Sequence, residues 1–194
     1  MRDSAHVYFR VKFQNMTGPI SYQFTDERFA PGVVIAIKRG EKGPRRLQPI
    51  CHDVEFERGL GYDLKLSAGF GVTLSDSFGK VFYATGDLSD DILKKDEKTL
   101  EFSLPVALIG EPESDWLYFV GVGLVSDRTM NFFGGPMPVR DKHPVLISGG
   151  NFSHGNPAFI DILLPGETDQ EDVLGAYDAT RGIRAVVPMF GPGG

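Results

Sequence analysis

Phe9-Arg-Val-Lys-Phe-Gln14 switches between apolar and polar at every step, with Phe9, Val11 and Phe13 on one face and Arg10, Lys12 and Gln14 on the other. A period of two describes a strand with one buried face. Thr17-Gly18-Pro19 ends it. Gly32 to Lys38 is instead a continuous β-branched run, the pattern of a strand buried on both faces. Alternation returns over Tyr62 to Leu66 and Phe70 to Leu74, and Asp76-Ser-Phe-Gly79 predicts a turn into a strand from Lys80 to Thr85. Thr99 to Leu104 is a further strand, running into a single helical turn over Pro105 to Ile109 that Gly110 closes. Asp115 to Ser126 is the longest apolar strand; both of its faces are apolar, which places it centrally in a sheet. Gly121 and Gly123 leave room there for close packing or a bulge.

The C-terminal part predicts a closing element. Phe159 to Leu164 is a strand stopped by Pro165-Gly166, and Thr168 or Asp169 caps a short helix. Glu171 and Asp172 suit the positive end of that helix, and Val173, Leu174 and Tyr177 form its buried side. A return strand covers Ile183 to Met189. Roughly eight to ten strands and two short helical pieces result, and the strands do not alternate with long helices, which disfavours a parallel α/β fold. The expected fold is all-β: one antiparallel β-sandwich domain over residues 1–194, immunoglobulin- or jelly-roll-like, ending in a tail at 191–194.

Composition narrows the partners. The 24 glycines and 13 prolines favour turns over long helices. A net charge of −6 opposes nucleic acid and anionic membranes as ligands, and no basic cluster offsets it. Arg39 to Pro49 carries several basic residues among glycines and prolines and predicts an exposed, mobile loop. Cys51 is the only cysteine, so no intrachain disulfide forms. The first residues lack an apolar signal-peptide core, and no stretch of about 18 apolar residues spans a membrane. Four Asn and four Gln point to a thermophilic source.

Candidate chemistry is sparse, and no enzymatic activity is expected. His6, His52, His143 and His154 make no metal-binding spacing. Cys51 and His52 are neighbours, which a strand would point to opposite faces. No Gly-x-Ser-x-Gly elbow occurs, and Gly134-Gly135 and Gly149-Gly150 lack the context of a phosphate cradle. The acidic segment from Gly86 to Lys98 offers Asp87, Asp90, Asp91, Asp96 and Glu97 as calcium ligands, but Lys94, Lys95 and Lys98 oppose a dication, so a solvated connection competes. Aromatic residues are the remaining signal, because the apolar face of a pyranose buries on an exposed ring while its hydroxyls bond to polar side chains. Phe132 and Phe133, with Asp127, Arg128 and Asn131 nearby, are the leading carbohydrate-binding candidates. Trp116 is another, although it shares a face with Tyr118, Val120 and Val122, where a core role competes. Phe78 and Tyr83 are weaker alternatives.

Three segments carry a family likeness: Val7 to Thr17 followed by Gly32 to Lys38; Thr99 to Ser126, with its Pro-x-x-x-Ile-Gly step and Trp-x-Tyr-x-Val strand; and Pro157 to Met189, with Ile-Asp-Ile-Leu-Leu-Pro followed by Gln170 and Leu174. In these the chain resembles the C-terminal β-sandwich module of glucodextranase and archaeal amylopullulanases, related to family-nine carbohydrate-binding and DOMON-like domains. The resemblance implies a non-catalytic carbohydrate-binding or cell-surface module accessory to a secreted α-glucan-degrading glycoside hydrolase. It implies polysaccharide or surface glycan as partner, an extracellular or cell-surface site, and packed rather than reacting roles for Gln170 and Leu174. The family's Asp-Pro, Gly-Asp-Asp and Gly-Pro-Gly opening is not seen ahead of Val7, which implies a fragment or a chain completed by another. A structural module without sugar binding is the alternative. DOMON-like relatives add haem b, with Met130 or Met137 and His143 or His154 as axial ligands.

Overall fold

The structure is a computed structural model that describes residues 3–13, 20–21, 28–40, 43–47, 54–69, 71–85, 92–94, 96–126, 161–164, 166, 168–169, 172–173, 176, 178 and 181–192. Its elements in chain order are β1 (His6–Lys12), β2 (Ile20–Ser21), β3 (Arg28–Lys38), β4 (Val54–Phe56), β5 (Leu64–Ala68), β6 (Val72–Asp76), β7 (Val81–Ala84), β8 (Leu93–Lys94), β9 (Thr99–Pro105), α1 (Val106–Ile109), β10 (Leu117–Ser126), β11 (Asp161–Ile162) and β12 (Ala185–Val187). The larger sheet runs β11-β10-β3-β5-β6-β7, with β2 also on β3, and the smaller runs β1-β9-β8; every pairing in both is antiparallel. The fold is all-β and a sandwich. A separate parallel pair, β12 on β4, was not expected from the sequence.

The alternation in β1 does what its period requires. Val7 is buried and Phe9, Val11 and Phe13 pack on the core, while Tyr8, Arg10 and Lys12 face solvent. From the smaller sheet Val7, Leu100, Phe102 and Leu104 meet Val33, Ile35, Ile37, Leu64, Leu66, Ala68, Val72 and Leu74 of the larger one. Phe9 stacks on Phe102 across the β1–β9 pair, with ring centroids 5.1 Å apart. At about 25 cal/mol per Å² of apolar surface removed from water, this shared layer is the main attraction between the sheets.

Over residues 32–37 β3 is buried on both faces, as its unbroken apolar run predicts. Its second face carries Val34 and Ala36, both buried, with Ala36 opposite Phe119 of β10. Phe56 meets Phe119 edge-on at 5.5 Å and Tyr62 at 5.7 Å, the geometry aromatic quadrupoles prefer. Val54, Ala185, Val187, Met189 and Leu47 are buried as well. The loop expected to be exposed and mobile is described over 39–40 and 43–47: Gly40 and Arg46 are exposed, as expected, whereas Leu47 is buried. Leu47 N–H donates to the Val54 carbonyl, Phe56 N–H to Arg45 and Tyr62 N–H to Pro44. Arg45 also pairs with Glu55 at 3.1 Å and donates to the Phe56 carbonyl at 3.0 Å. Glycines permit this: a Cβ on Gly43 would collide with the Tyr62 carbonyl, and one on Gly61 with that of Gly43.

The charged segment is in part the solvated connection expected, since Asp96, Glu97 and Lys98 are exposed. Within the charged segment, Leu93–Lys94 is a strand on β9, and Lys94 reaches Glu101 at 3.1 Å. The helical turn α1 ends at Gly110, whose φ of 89° favours glycine. Beside it Arg39 donates to Asp63 from its backbone N–H (2.8 Å) and its Nε (2.6 Å), and to the Ile109 carbonyl from Nη1 (2.9 Å). β12 is shorter than expected, with three residues; of the expected first strand, β11 takes in Asp161–Ile162, and Phe159 and Ile160 lie outside the described residues. Val173 N–H donates to the Asp169 carbonyl at 3.2 Å, one helical bond of the expected turn. Phe190 exchanges backbone bonds of 2.8 and 2.9 Å with Tyr118, so β11 and Phe190 together cover the β10 edge. Gln170, Leu174 and Tyr177 lie outside the described residues.

Candidate functional site: an exposed aromatic hairpin

The opposite edge of the larger sheet ends in a hairpin, and its sequence explains its rigidity. Asp76 Oδ1 accepts from the backbone N–H groups of Phe78 and Lys80, both at 2.9 Å. Asp76 N–H donates to the Lys80 carbonyl and Gly79 N–H to the Asp76 carbonyl, each at 3.1 Å. Gly79, at φ 88°, supplies the left-handed residue that a three-residue hairpin loop needs. The ring of Phe78, at the tip, is 90% exposed. Its exposure is set by a turn whose backbone is bonded throughout.

A β-bulge then re-aims the next side chains. The register pairs Ser75 with Val81 but Leu74 with Tyr83, so two residues of β7 stand opposite one of β6. Tyr83 consequently joins Leu74 on the face that packs against the smaller sheet. Val81 and Phe82 are left on the outer face, 55% and 40% exposed. The sequence named Tyr83 among the weaker candidates and did not name Phe82. On that outer face the adjacent strands carry small hydroxyl side chains: Thr73 and Ser75 on β6, and Ser67 on β5 opposite Thr73. Lys65, opposite Ser75, is 6% exposed, and burial lowers its ammonium pKa to about 8, against the pull of the Asp76 charge.

The other exposed sheet face is occupied by ion pairs. On the smaller sheet Arg10 meets Glu101 at 2.7 Å and Glu97 at 3.5 Å, and Lys94 binds the second oxygen of Glu101. The Lys94 hydrogen bond holds the Glu101 carboxyl below its usual range. Tyr8, also on this face, donates to Asp3 Oδ2 at 2.7 Å, and its own titration is raised by that bond. These groups satisfy one another.

Of the sequence candidates, Trp116 is 4% exposed and belongs to the core beneath Gly110, so it offers no open face for stacking; the competing core role is the one it fills. Asp127, Arg128, Asn131, Phe132 and Phe133 lie outside the described residues, as do Cys51, His52, Met130, Met137, His143, His154, Asp87, Asp90 and Asp91. Among the described residues, no three His, Cys, Asp or Glu side chains converge as a metal site would require. No helix among them is long and apolar enough to cross a membrane.

The two antiparallel sheets define a class, that of small all-β sandwiches. The family model of the SLH-like C-terminal binding module of glucodextranase matches residues 1–189, and the chain belongs to that family. No curated protein and no solved structure matches it.

Proposed function

We propose that the chain is a non-catalytic module that binds carbohydrate or attaches to the cell surface, accessory to a glycoside hydrolase that degrades α-glucans. The observation that carries this reading is its membership, over 189 residues, of the family of binding modules of glucodextranase. The exposed aromatic hairpin supports it, since ring faces are what pyranoses bury against. Such a module acts by tethering: each contact is weak, but linkage to the catalytic unit or the wall raises the local concentration of enzyme on its polymer. Placement outside the cell or at its surface follows from the same reading. The test is affinity electrophoresis or calorimetry with starch, dextran and pullulan. Retarded migration on at least one polymer is expected, and no binding to any of them at millimolar sugar overturns the carbohydrate reading.

The exposed apolar side chains of β7 favour a second reading, a structural module that packs on a catalytic or surface-layer partner without binding sugar. Stable association with the hydrolase in a pull-down from the native source, together with no glycan binding, would establish it.

A further inference from the structure

We infer that the sugar-contacting surface is the outer face of the β6–β7 hairpin, with Phe78 and Phe82 as stacking rings and Thr73 and Ser67 as hydroxyl partners. This rests on the carbohydrate reading and locates it on the chain. Three features of the hairpin carry the inference.

The first is that both rings remain open to solvent. A side chain placed by packing is buried, yet Phe78 is 90% exposed and Phe82 40%, on a turn fixed by four bonds to Asp76 and on a paired strand. A backbone that is already fixed loses little further freedom when a ligand covers its side chains. The second is the bulge, which sends Tyr83 to the core and keeps Phe82 beside Val81 at the solvent edge. The same irregularity breaks the even ladder that an added strand would need, and β7 is only four residues long, so the edge is poorly suited to pairing with another chain. The third is the chemistry of the neighbours. Thr73 and Ser67 are half-buried on the same outer face, Thr73 opposite Ala84 of β7 and Ser67 one strand further in, while the tip carries Asp76 and Lys80 in balance. Aromatic faces flanked by hydroxyl groups without excess charge match a neutral, hydroxyl-rich chain, and they do not match a phosphorylated or strongly acidic polymer.

The experiment compares the wild-type chain with Phe78→Ala, Phe82→Ala, the double variant, Phe78→Trp, and Tyr8→Ala on the opposite sheet. Binding is read by affinity electrophoresis on amylose, dextran and pullulan, with far-ultraviolet circular dichroism as the check on folding. The double variant is expected to keep its spectrum and lose roughly tenfold or more in affinity, since stacked rings act together. Phe78→Trp should retain or strengthen binding, and Tyr8→Ala should leave it unchanged. If the wild type binds and the double variant binds equally, the site is overturned while the carbohydrate reading stands. If the wild type binds nothing, both fall. Sedimentation that shows a wild-type dimer abolished by the double variant would also overturn the site and assign the hairpin to a second copy of the chain.

Discussion

The two faces of the larger sheet differ in composition although the same strands build both. Toward the smaller sheet the side chains are almost entirely aliphatic: Val33, Ile35, Ile37, Leu64, Leu66, Val72 and Leu74. On the outer face one half is aromatic and closed, where Phe56 joins Phe119 and Tyr62 beneath β4 and β12. The other half is polar and small, with Lys65, Ser67, Thr73 and Ser75, and it ends at the exposed Phe82. Rings of one residue type therefore serve in two ways on one face. Phe56 is buried by neighbours on every side, whereas Phe82 has been left uncovered by a bulge, so burial and not residue type separates structural aromatics from available ones.

The sharpest way to break this distinction is to truncate both rings. Phe56→Ala should cost about 3–5 kcal/mol, because it removes a fully buried ring and leaves a cavity against Phe119 and Tyr62. Phe82→Ala should stay within about 0.5 kcal/mol of the wild type, as exposed sites do. Urea unfolding of the two variants provides the comparison; similar losses would remove the basis for treating β7 as a surface set apart from the core.

Lys65 tests the polar half. Its folded pKa, about 8, lies below the ordinary lysine value of 10.5, so the unfolded chain holds the proton longer. The folded state is accordingly penalised below about pH 8, and the penalty is relieved as pH rises from there toward 10.5. Full relief amounts to about 3 kcal/mol at most by linkage. Lys65→Met should flatten that alkaline rise in stability, measured by unfolding between pH 7 and about 10. An unchanged slope would mean that the ammonium is better solvated or paired than its burial implies.

Asp63 tests the junction between the sheets and α1. Its carboxylate takes two hydrogen bonds from Arg39, which is itself bonded to the Ile109 carbonyl. Asp63→Ala should cost about 1.5–3 kcal/mol, the range for hydrogen bonds to charged groups in partly buried sites. Arg39→Ala in the Asp63→Ala background should then add little, because each partner has already lost the other. Full additivity in that double-mutant cycle would show that the contacts do not act as a unit.

How much of this was legible depends on how far apart the cooperating residues lie in the chain. β1, β3 and β10 could be read because period and run length are local properties, and α1 because Pro105 and Gly110 bound it. The β4–β12 pair was not legible: Val54–Phe56 is too short to show a period, and its partner lies about 130 residues away. Leu47 looked like part of an exposed loop, since nothing local shows that Gly43 and Gly61 let two backbones meet. At the candidate site Phe78 was visible as a turn aromatic. Phe82 was not, because a bulge is a property of two strands and leaves no mark in the sequence of one.

The smallest expected effect sharpens the contrast between the hairpin and the opposite sheet. Asp3 accepts from the Tyr8 hydroxyl and from the backbone N–H groups of Ala5 and His6, each at 2.7 Å, which lowers its pKa from 3.8 to about 2. A depressed carboxylate stabilises the fold above its unfolded pKa and loses that contribution as pH falls from about 4 through about 2. The site is exposed, so Asp3→Asn should lower the melting temperature by only about 1 °C at pH 7, and the two proteins should converge as pH approaches 2. The clearer readout is Tyr8 itself, whose hydroxyl titrates above the ordinary tyrosine range because it donates to a carboxylate. In Asp3→Asn that titration, followed by the ring resonances, should move down toward the ordinary value. A tyrosine held by its own N-terminal carboxylate is already committed to the fold, and this separates its exposed ring from those of Phe78 and Phe82. If Asp3→Asn changed glycan affinity, the smaller sheet and not the hairpin would be the face that meets sugar.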